Sequence, residues 1–348
     1  MLKKIVLIMA TVLLSISIYS NCIAKKSFNI AWSHYTGWEP WEYASYSGIL
    51  DKWAKKYNIK IKLSLVNDYI ESINLYTAGS YDGCVMTNMD ALTIPAVGGI
   101  DSTALIIGDF SNGNDGIIIK NGTTISDLKN RKVMLVELSV SHYLLTRALV
   151  MNKMTEKDLT LINTSDADIA ALFASGSNAA VVTWNPPLIQ CRNVKGAKLI
   201  FDSSKIPGEI IDMMVVRTKT PDALKKALTG AWYETMSIMQ QKSKKGKNAI
   251  AYMAEFAGGT VPEFKAQLKT TAMFYKASDA LLFAKGDALK KTMEYVRTFS
   301  FQHGLFGDAN SENFVGILFP DDSVMGNKEN IKLRFNASFM QMAADGKL

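Results

Sequence analysis

The sequence lacks the short motifs by which several classes of enzyme are recognised. HExxH, CxxC, Gly-x-Ser-x-Gly and phosphate-binding glycine loops are all missing. The three histidines, His34, His142 and His303, are far apart and do not have metal-ligand spacing. No local sequence motif therefore supports a metal, serine or cysteine hydrolase, although distant residues can still assemble a site. We predict that the protein needs no cofactor.

Long apolar runs are also missing, except at the N-terminus. There, two lysines precede an uncharged run over 5–19, and small residues follow up to Ala24. The run is shorter than the roughly 20 residues of a membrane-spanning helix, and the order basic, apolar, small is that of a cleaved signal peptide. We predict a signal peptide over 1–24 and a periplasmic protein. The alternatives are lipidation at Cys22, which Asn21 disfavours, and a retained N-terminal anchor.

The excess of positive charge is modest and spread along the chain. The formal net charge is +7, and most of the surplus is scattered lysine. One dense basic cluster, residues 242–247, has no aromatic residues interleaved with it, unlike a surface that binds nucleic acid. We interpret this cluster as a solvated loop between helices and predict no nucleic-acid partner.

Short apolar runs alternate with amphipathic segments, a pattern typical of α/β layers. The exported part, 25–348, is long enough for one large or two medium domains. Strands are predicted at 28–32, 60–66, 83–87, 104–108, 116–120, 132–136, 159–163, 179–183, 198–201 and 212–217. Helices are predicted between them at 39–57, 69–78, 142–152 and 167–174. After Thr220 the pattern becomes almost wholly helical as far as Gly304.

A weak internal repeat suggests two lobes of like topology. The sequence LYTAGS at 75–80 returns as LFASGS at 172–177, and in each copy a glycine that can end a helix precedes a buried strand. The two strands lead into polar turns that contain Asn88 and Asn185. Chance similarity is the alternative, because glycine is common at helix ends. In the two-lobe interpretation the turns face one another across a cleft, where open α/β sheets bind ligands.

The two cysteines of the exported part, Cys84 and Cys191, would then belong to different lobes. An oxidising compartment allows cysteines to pair, but a disulfide between the lobes would lock them together. We therefore predict two free, buried thiols.

Candidate ligand-binding residues lie at the ends of the predicted strands. They carry aromatic, amide, carboxylate or hydroxyl groups: Trp38, Trp41, Asn88, Asp90, Glu137, Ser139, Ser141, Trp184 and Asn185, with Glu209 and Asp212 beside the return strand. Each type also has a structural explanation, such as core packing for tryptophan, helix capping for serine or a hinge ion pair for Glu209. Buried carboxylates without a counter-charge are costly. Several of them beside indole rings would suit a ligand with N–H donors or positive charge.

Several stretches of the chain resemble one known family. They are YIESIN at 69–74, MTNMDALT at 86–93, SNGNDG at 111–116, VELSVSHYLL at 136–145 and IPGEIID at 206–212. Together with the signal peptide they resemble the taurine/sulfonate/nitrate family of periplasmic substrate-binding proteins, which serve ABC transporters. The resemblance covers nearly the whole mature chain. It is closest to a branch labelled as putative urea-type binding proteins, found with urea- or guanidine-carboxylating systems.

The resemblance implies a type II periplasmic-binding-protein fold, with two α/β lobes joined by two crossover strands and a helical C-terminal part. Lobe one would be 25–113 and 216–348, and lobe two 114–215, with crossovers near 112–116 and 212–216. It also implies a monomeric, non-catalytic receptor that delivers a small solute to a membrane permease, with the ATPase on a separate chain. The carboxylates at the cleft favour a urea- or guanidine-like solute.

Three alternatives remain open from the sequence. An oxyanion such as taurine, an aliphatic sulfonate or nitrate would be held at Ser139, Ser141 and Asn185, and would call for Arg147 or Arg217 to reach the cleft. An enzyme on the same lobes would need a pair such as His34 with Glu39, or His142 with Glu137. A ligand-sensing partner of a signalling receptor would use the same fold.

Overall fold

A computed structural model describes residues 26–176, 180–307 and 309–348 of the chain. Its first element is strand β1 (Ser27–Trp32). The predicted signal peptide lies outside the described residues. A glycine divides the helical segment that follows β1. The predicted helix over 39–57 is two helices, α1 (Glu39–Tyr46) and α2 (Ile49–Lys56), because Gly48 takes a left-handed φ of 74° between them.

Strand β2 (Lys60–Leu65) pairs in parallel with β1, and helix α3 (Tyr69–Ala78) follows it. The Asp68 side chain accepts a hydrogen bond from the backbone N–H of Glu71 at 2.9 Å and so caps α3. Gly79 ends the helix at φ 98°, as the repeat predicts. The chain then enters the fully buried strand β3 (Gly83–Thr87), which leads directly into a short helix, α4 (Asn88–Ala91).

The first sheet has nine strands in the order β13-β12-β14-β4-β10-β3-β1-β2, with β11 also paired to β4. Its remaining strands are β4 (Ser102–Ser111), β10 (Ile211–Arg217), β11 (Thr271–Met273), β12 (Gly316–Leu318), β13 (Val324–Gly326) and β14 (Ile331–Phe335). Strand β10 lies between β3 and β4 and is antiparallel to both.

The second sheet has the order β7-β6-β8-β5-β9. Its strands are β5 (Asp115–Lys120), β6 (Lys132–Leu135), β7 (Thr160–Asn163), β8 (Ala180–Trp184) and β9 (Ala197–Asp202). Helices α5 (Val140–Met151), α6 (Ile169–Ser175) and α7 (Pro187–Arg192) connect and cover them. One side of this sheet packs into a small apolar cluster around Ile118, Phe173 and Val181, and the opposite side joins the main core.

The two sheets share one local topology. In the run β2-β1-β3-β10-β4 the first three strands are parallel, and β10 is antiparallel to both of its neighbours. The run β7-β6-β8-β5-β9 repeats this arrangement strand for strand, with β5 in the place of β10. The repeated sequence motif ends in β3 in one sheet and in β8 in the other, which are equivalent positions.

The chain passes between the sheets twice. The first passage is 112–114, between β4 and β5, where the sequence predicts a crossover. The second passage comes earlier than predicted: β10 pairs with the first sheet along its whole length, so the change of sheet occurs in 203–210 and not at 212–216. A strand that looks like a link in the sequence is therefore a central member of the first sheet.

The C-terminal part is mainly helical, as predicted. It contains α8 (Asp222–Met239), α9 (Lys244–Phe256), α10 (Val261–Lys269), α11 (Ala277–Ala284), α12 (Asp287–Gln302) and α13 (Ser338–Ala344). The basic cluster at 242–247 is exposed, but Ser243 caps α9 there and most of the cluster is helix rather than loop. Within the described residues, none of the helices combines the length and apolarity that crossing a membrane requires.

Cys84 lies in β3 of the first sheet and Cys191 in α7 beside the second, and both are buried and free. Burial raises the pKa of each thiol to about 12. Neither sulfur is therefore a nucleophile at neutral pH.

Candidate functional site

A small closed chamber lies between the two sheets and is lined from both. The first-sheet side contributes Tyr35, Trp38, Tyr69, Thr87, Ile210 and Asp212, and the second-sheet side contributes Asp115, Val140 and Trp184. The chamber has a volume of about 10 Å³, enough for one water molecule. A second cavity of about 10 Å³ shares Trp38 and Asp212 and extends to Trp41, Asp109 and Trp232.

Aromatic rings form a continuous row along the chamber. The ring centroids of Tyr35 and Trp38 lie 5.1 Å apart, those of Trp38 and Tyr69 5.4 Å, and those of Tyr69 and Trp184 5.5 Å. The last contact is edge to face and joins the first sheet's side to the second. Rings at these separations attract one another beyond simple burial, so the row helps to hold the sheets together.

Four buried aspartates surround the rings: Asp90, Asp109, Asp115 and Asp212. The exposed fraction of each is 2 % or less. In each carboxyl group one oxygen has no hydrogen-bond partner. No lysine, arginine or histidine is among the described residues that line the two cavities. The chamber therefore offers several buried acceptors and no positive charge to balance them.

Asp109 and Asp212 form a carboxyl pair. They lie directly opposite one another on β4 and β10, and both line the second cavity. Two carboxyl groups so placed can bond to each other only if one carries a proton. Burial, followed by repulsion from neighbouring carboxylates, raises the pKa of Asp109 to about 7 and that of Asp212 well above its usual range.

The other two aspartates are held separately. Asp90 follows β3 and accepts hydrogen bonds from the hydroxyl groups of Tyr69 at 2.6 Å and Thr87 at 2.8 Å. Burial nevertheless raises its pKa to about 6. Asp115 begins β5, and its backbone N–H donates to the Ser111 hydroxyl at 3.1 Å. Burial raises the pKa of its carboxyl to about 7.

Of the residues predicted from the sequence, Trp38, Trp184 and Asp212 line the chamber, and Asp90 joins it through Tyr69. Trp41 lines only the neighbouring cavity and stacks on Trp232 at a centroid distance of 4.9 Å. The packing explanation for tryptophan thus accounts for much of what Trp41 does.

The two asparagines of the repeat hold the crossovers instead of facing the chamber. The Asn88 amide donates to the Glu209 carbonyl at 3.2 Å and accepts from the backbone N–H of Ile211 at 3.0 Å. The Asn185 amide donates to the Asn114 side chain at 2.5 Å and accepts from the N–H of Ile189 at 3.0 Å. Each repeat copy therefore ends in an asparagine that binds one of the two connections between the sheets.

Ser139 and Ser141 begin α5. The Ser139 hydroxyl accepts from the backbone N–H of Ser141 at 3.1 Å and donates to the Val136 carbonyl at 2.7 Å, so it is a helix cap. The Ser141 hydroxyl is buried without a partner. Glu137 lies apart, in a groove of about 300 Å³ that it shares with the acidic residue Asp166.

Glu209 forms the hinge ion pair that its position suggests. Arg147 of α5 binds both of its carboxylate oxygens, at 2.8 and 2.9 Å, and the Tyr143 hydroxyl donates to it at 2.5 Å. This cluster ties the second crossover to the second sheet. Arg217 is also occupied, because its guanidinium donates to the Tyr76 carbonyl at 2.6 Å.

His142 does not form the pair with Glu137 that the enzyme alternative would need. The closest acidic partner of His142 is Glu156, with 3.2 Å between His142 Nε2 and Glu156 Oε1, and His303 lies beside them. The backbone N–H of Leu138 donates to His142 Nδ1 at 3.0 Å, which leaves the ring proton on Nε2. A metal at Nε2 would have to displace that proton, so the arrangement does not favour a metal site. His34 does bond to the buried Glu39, at 2.8 Å.

Sequence reasoning missed Tyr35, Tyr69, Asp109 and Asp115. Asp109 lies near the end of the long apolar strand β4, and an acid in such a strand was the available signal. Asp115 belongs to the quoted SNGNDG stretch but was treated as part of a link. Tyr69 opens a helix and has no unusual neighbours in the sequence, so only the folded chain brings it to the site.

Comparison of the chain with family models finds no match, and no curated protein matches its sequence. Solved structures do match. The alkanesulfonate-binding protein SsuA from Xanthomonas axonopodis pv. citri, bound to MOPS, has a TM-score of 0.66 and 14 % identity, over 82 % of this chain and 96 % of its own. This chain has the periplasmic binding protein fold.

Two further structures agree on that fold. The periplasmic aliphatic sulphonate binding protein SsuA from Escherichia coli matches with a TM-score of 0.64 and 17 % identity, over 80 % of this chain and 88 % of its own. The periplasmic nitrate-binding protein NrtA from Synechocystis PCC 6803 matches with a TM-score of 0.57 and 13 % identity, over 93 % of this chain and 99 % of its own. A periplasmic binding protein fold accounts for the repeated topology and for a chamber between the sheets. At these identities the likeness concerns the fold and not the ligand.

Proposed function

We propose that this protein is a non-catalytic periplasmic receptor that delivers a small nitrogen-containing polar solute, urea- or guanidine-like, to an ABC importer. One observation carries the proposal. Asp115 and Asp212 line the aromatic chamber, Asp109 lines the neighbouring cavity with Asp212, and each of the three has a buried carboxyl oxygen without a partner. Such acceptors need N–H donors to satisfy them once they are away from water.

Solute binding would be coupled to opening and closure of the two lobes, because the chamber in this closed arrangement has room for only one water molecule and would have to widen to admit a solute. Asp212 and Trp38 lie on the first-sheet side and Asp115 and Trp184 on the other, so a solute between them makes more contacts when the lobes are closed. The connections at 112–114 and 203–210 are where a hinge would bend. The closed, monomeric form would dock on a permease, with a separate ATPase supplying energy, and the solute would leave unaltered.

A sulfonate or nitrate ligand is the second candidate, because solved structures with this fold include proteins named for those anions. The chamber does not favour it. The two arginines that might have supplied positive charge, Arg147 and Arg217, are bound to Glu209 and to backbone carbonyls. Buried carboxyl groups repel an anion when they are ionised, and when they are protonated they offer it no balancing positive charge.

The decisive experiment is a thermal-shift screen of the mature protein, residues 25–348. A ligand that binds the folded state raises the melting temperature. Urea, guanidinium and acetamidinium are compared with taurine, methanesulfonate and nitrate at equal ionic strength. We expect the nitrogen compounds to raise the melting temperature. A shift with the sulfonates or nitrate alone would reject the nitrogen solute, and formation of a product from any of them would reject a non-catalytic receptor.

A further inference from the structure

We propose that the chamber takes up a small organic cation with several N–H groups, of the guanidinium or amidinium class, and that Asp109 and Asp212 give up a shared proton in exchange. The proposal rests on the receptor function above and narrows its ligand. The proposal specifies the charge of the ligand. Urea is neutral, guanidinium is a cation and a sulfonate is an anion, so charge distinguishes these candidates.

The carboxyl pair has the geometry of a proton store. Asp109 and Asp212 are directly opposed on neighbouring antiparallel strands and line the same cavity. Both are almost completely buried, with exposed fractions of 0 % and 2 %. A hydrogen bond between them would require one proton for the pair. Two ionised carboxylates in this position would repel each other without any opposing charge.

The groups that face the pair are acids and phenols. Asp115 and Tyr35 are closest, with 3.4 Å between the Tyr35 hydroxyl and Asp109 Oδ1, while Tyr275 also interacts with Asp109. Burial raises the pKa of both tyrosines, so they stay neutral. Asp90 lies farther away and interacts with Asp115. No cationic side chain faces the pair from the described lining.

A cation supplies what these groups lack. Its N–H donors satisfy the carboxyl oxygens that have no partner, and its charge balances a carboxylate. The faces of Trp38, Tyr69 and Trp184 attract a cation more than a neutral solute. A neutral amide could satisfy the hydrogen bonds but not the charge, and an anion would do neither.

The exchange balances in atoms and charge. In the solute-free protein one O–H bond lies between Asp109 and Asp212. When the cation binds, that O–H bond breaks and the proton leaves to solvent. Both carboxylates then face the cation, and the net charge of the chamber is unchanged. Because the pKa of Asp109 is raised by burial to about 7, protons compete with the cation below neutral pH, and affinity rises with pH.

Isothermal titration of the mature protein tests this exchange. A panel of solutes is titrated first: guanidinium, methylguanidinium and acetamidinium as cations, urea and acetamide as neutral analogues, and methanesulfonate as the anion. The solute that binds most strongly is then used for proton counting. Repeating the titration in buffers of different ionisation enthalpy counts the protons released. We expect a cation to bind best, with at least about one proton released at pH 6 and affinity falling by at least about tenfold per pH unit below that.

Substitutions then locate the proton. Asp109→Asn leaves an amide that can donate to Asp212, so proton release should fall by about one proton while the cation still binds, more weakly. Asp115→Asn should weaken cation binding, and adding Asp109→Asn to it should lower proton release by a further proton. Glu255→Gln removes an exposed carboxylate of α9 and should change neither. Melting curves establish that each variant is folded.

The outcomes separate this inference from the receptor function. If urea, acetamide or methanesulfonate binds best, or if the cation binds without releasing a proton, the exchange is refuted and a solute receptor still stands. If wild type and Asp109→Asn release equal numbers of protons, the assignment to the pair is refuted. If no solute of any charge binds, the receptor function itself fails.

Discussion

Tyr69, at the start of α3, and Trp184, at the end of β8, meet edge to face with their ring centroids 5.5 Å apart. One ring belongs to the first sheet's side of the chamber and the other to the second. The Tyr69 hydroxyl also donates to Asp90 at 2.6 Å. Tyr69 therefore contacts the opposite side of the chamber through its ring and also binds Asp90, one of the buried acidic groups, through its hydroxyl.

Replacing Trp184 tests this connection. Trp184→Ala removes a buried ring from both the chamber and the sheet interface, and we expect solute affinity to fall by at least about tenfold, equivalent to about 1.4 kcal/mol. Trp184→Phe keeps an aromatic face and should lose less. Affinity is measured by isothermal titration, and folding by calorimetry, because urea and guanidinium are candidate ligands and unsuitable as denaturants. Unchanged affinity in Trp184→Ala would remove Trp184 from the site.

The ion pair between Glu209 and Arg147 should stabilise the closed form. Glu209→Gln leaves a partly buried guanidinium without its charged partner, and we expect a loss of stability of about 1–3 kcal/mol. Lys290→Gln breaks an exposed ion pair with Asp321 and should cost much less, because solvent screens that pair. Calorimetric melting of the two variants measures the difference. Equal effects would show that the Glu209 pair is no more than a surface contact.

The buried acids predict an unusual dependence of stability on pH. The folded protein holds protons on Asp109 and Asp115 up to a pKa of about 7, whereas the unfolded chain loses them near 3.8. Between those values the folded state binds more protons, so stability should fall as pH rises from about 4 to 7, by up to about 1.4 kcal/mol per pH unit for each group. Melting temperatures across this range measure the slope.

Asp115→Asn provides the control for this slope. The amide cannot ionise, so the variant should lose less stability than wild type as pH rises to 7. A saturating cation should flatten the wild-type slope in the same way. If wild type instead gains stability steadily from pH 4 to 7, the four aspartates are not protonated in the folded state.

Gly37 is the place where one added carbon should disturb the site. A Cβ there would lie 2.4 Å from Asp109 Oδ2 and 2.7 Å from the Tyr35 ring. Gly37→Ala should therefore displace the carboxyl pair, weaken solute binding and cost about 1–3 kcal/mol of stability. Gly259→Ala, where the nearest atom is 3.6 Å away, is the matched control and should change neither. Titration and melting of both variants test this.

The sequence predicted the strands of the two sheets well where they are long and apolar. Strands β1 to β10 occur within a few residues of the predicted positions, because buried strands in α/β layers are continuous apolar runs between turns. The short strands β11 to β14 were missed. They have three to five residues. Strand β11 lies in the part with helical patterning, and β12 to β14 lie beyond Gly304, where no strand was predicted.

The second crossover was misplaced for a related reason. The run around Asp212 is apolar and could serve equally as a link or as a central strand, and only pairing with β3 and β4 decides between them. The same pairing sets Asp212 opposite Asp109. A carboxyl pair formed across two strands more than 100 residues apart has no local pattern, so it could not have been found from the sequence.

The buried, separated positions of Cys84 and Cys191 have a practical consequence. Both sulfurs are inaccessible and poorly ionised, so a maleimide dye would react with a thiol introduced at the surface in preference to either of them. One such cysteine on an outer helix of each lobe would allow donor and acceptor fluorophores to be attached without removing a native side chain. The mature protein is thus ready to be converted into an optical sensor, whose energy-transfer signal would report opening and closing in real time.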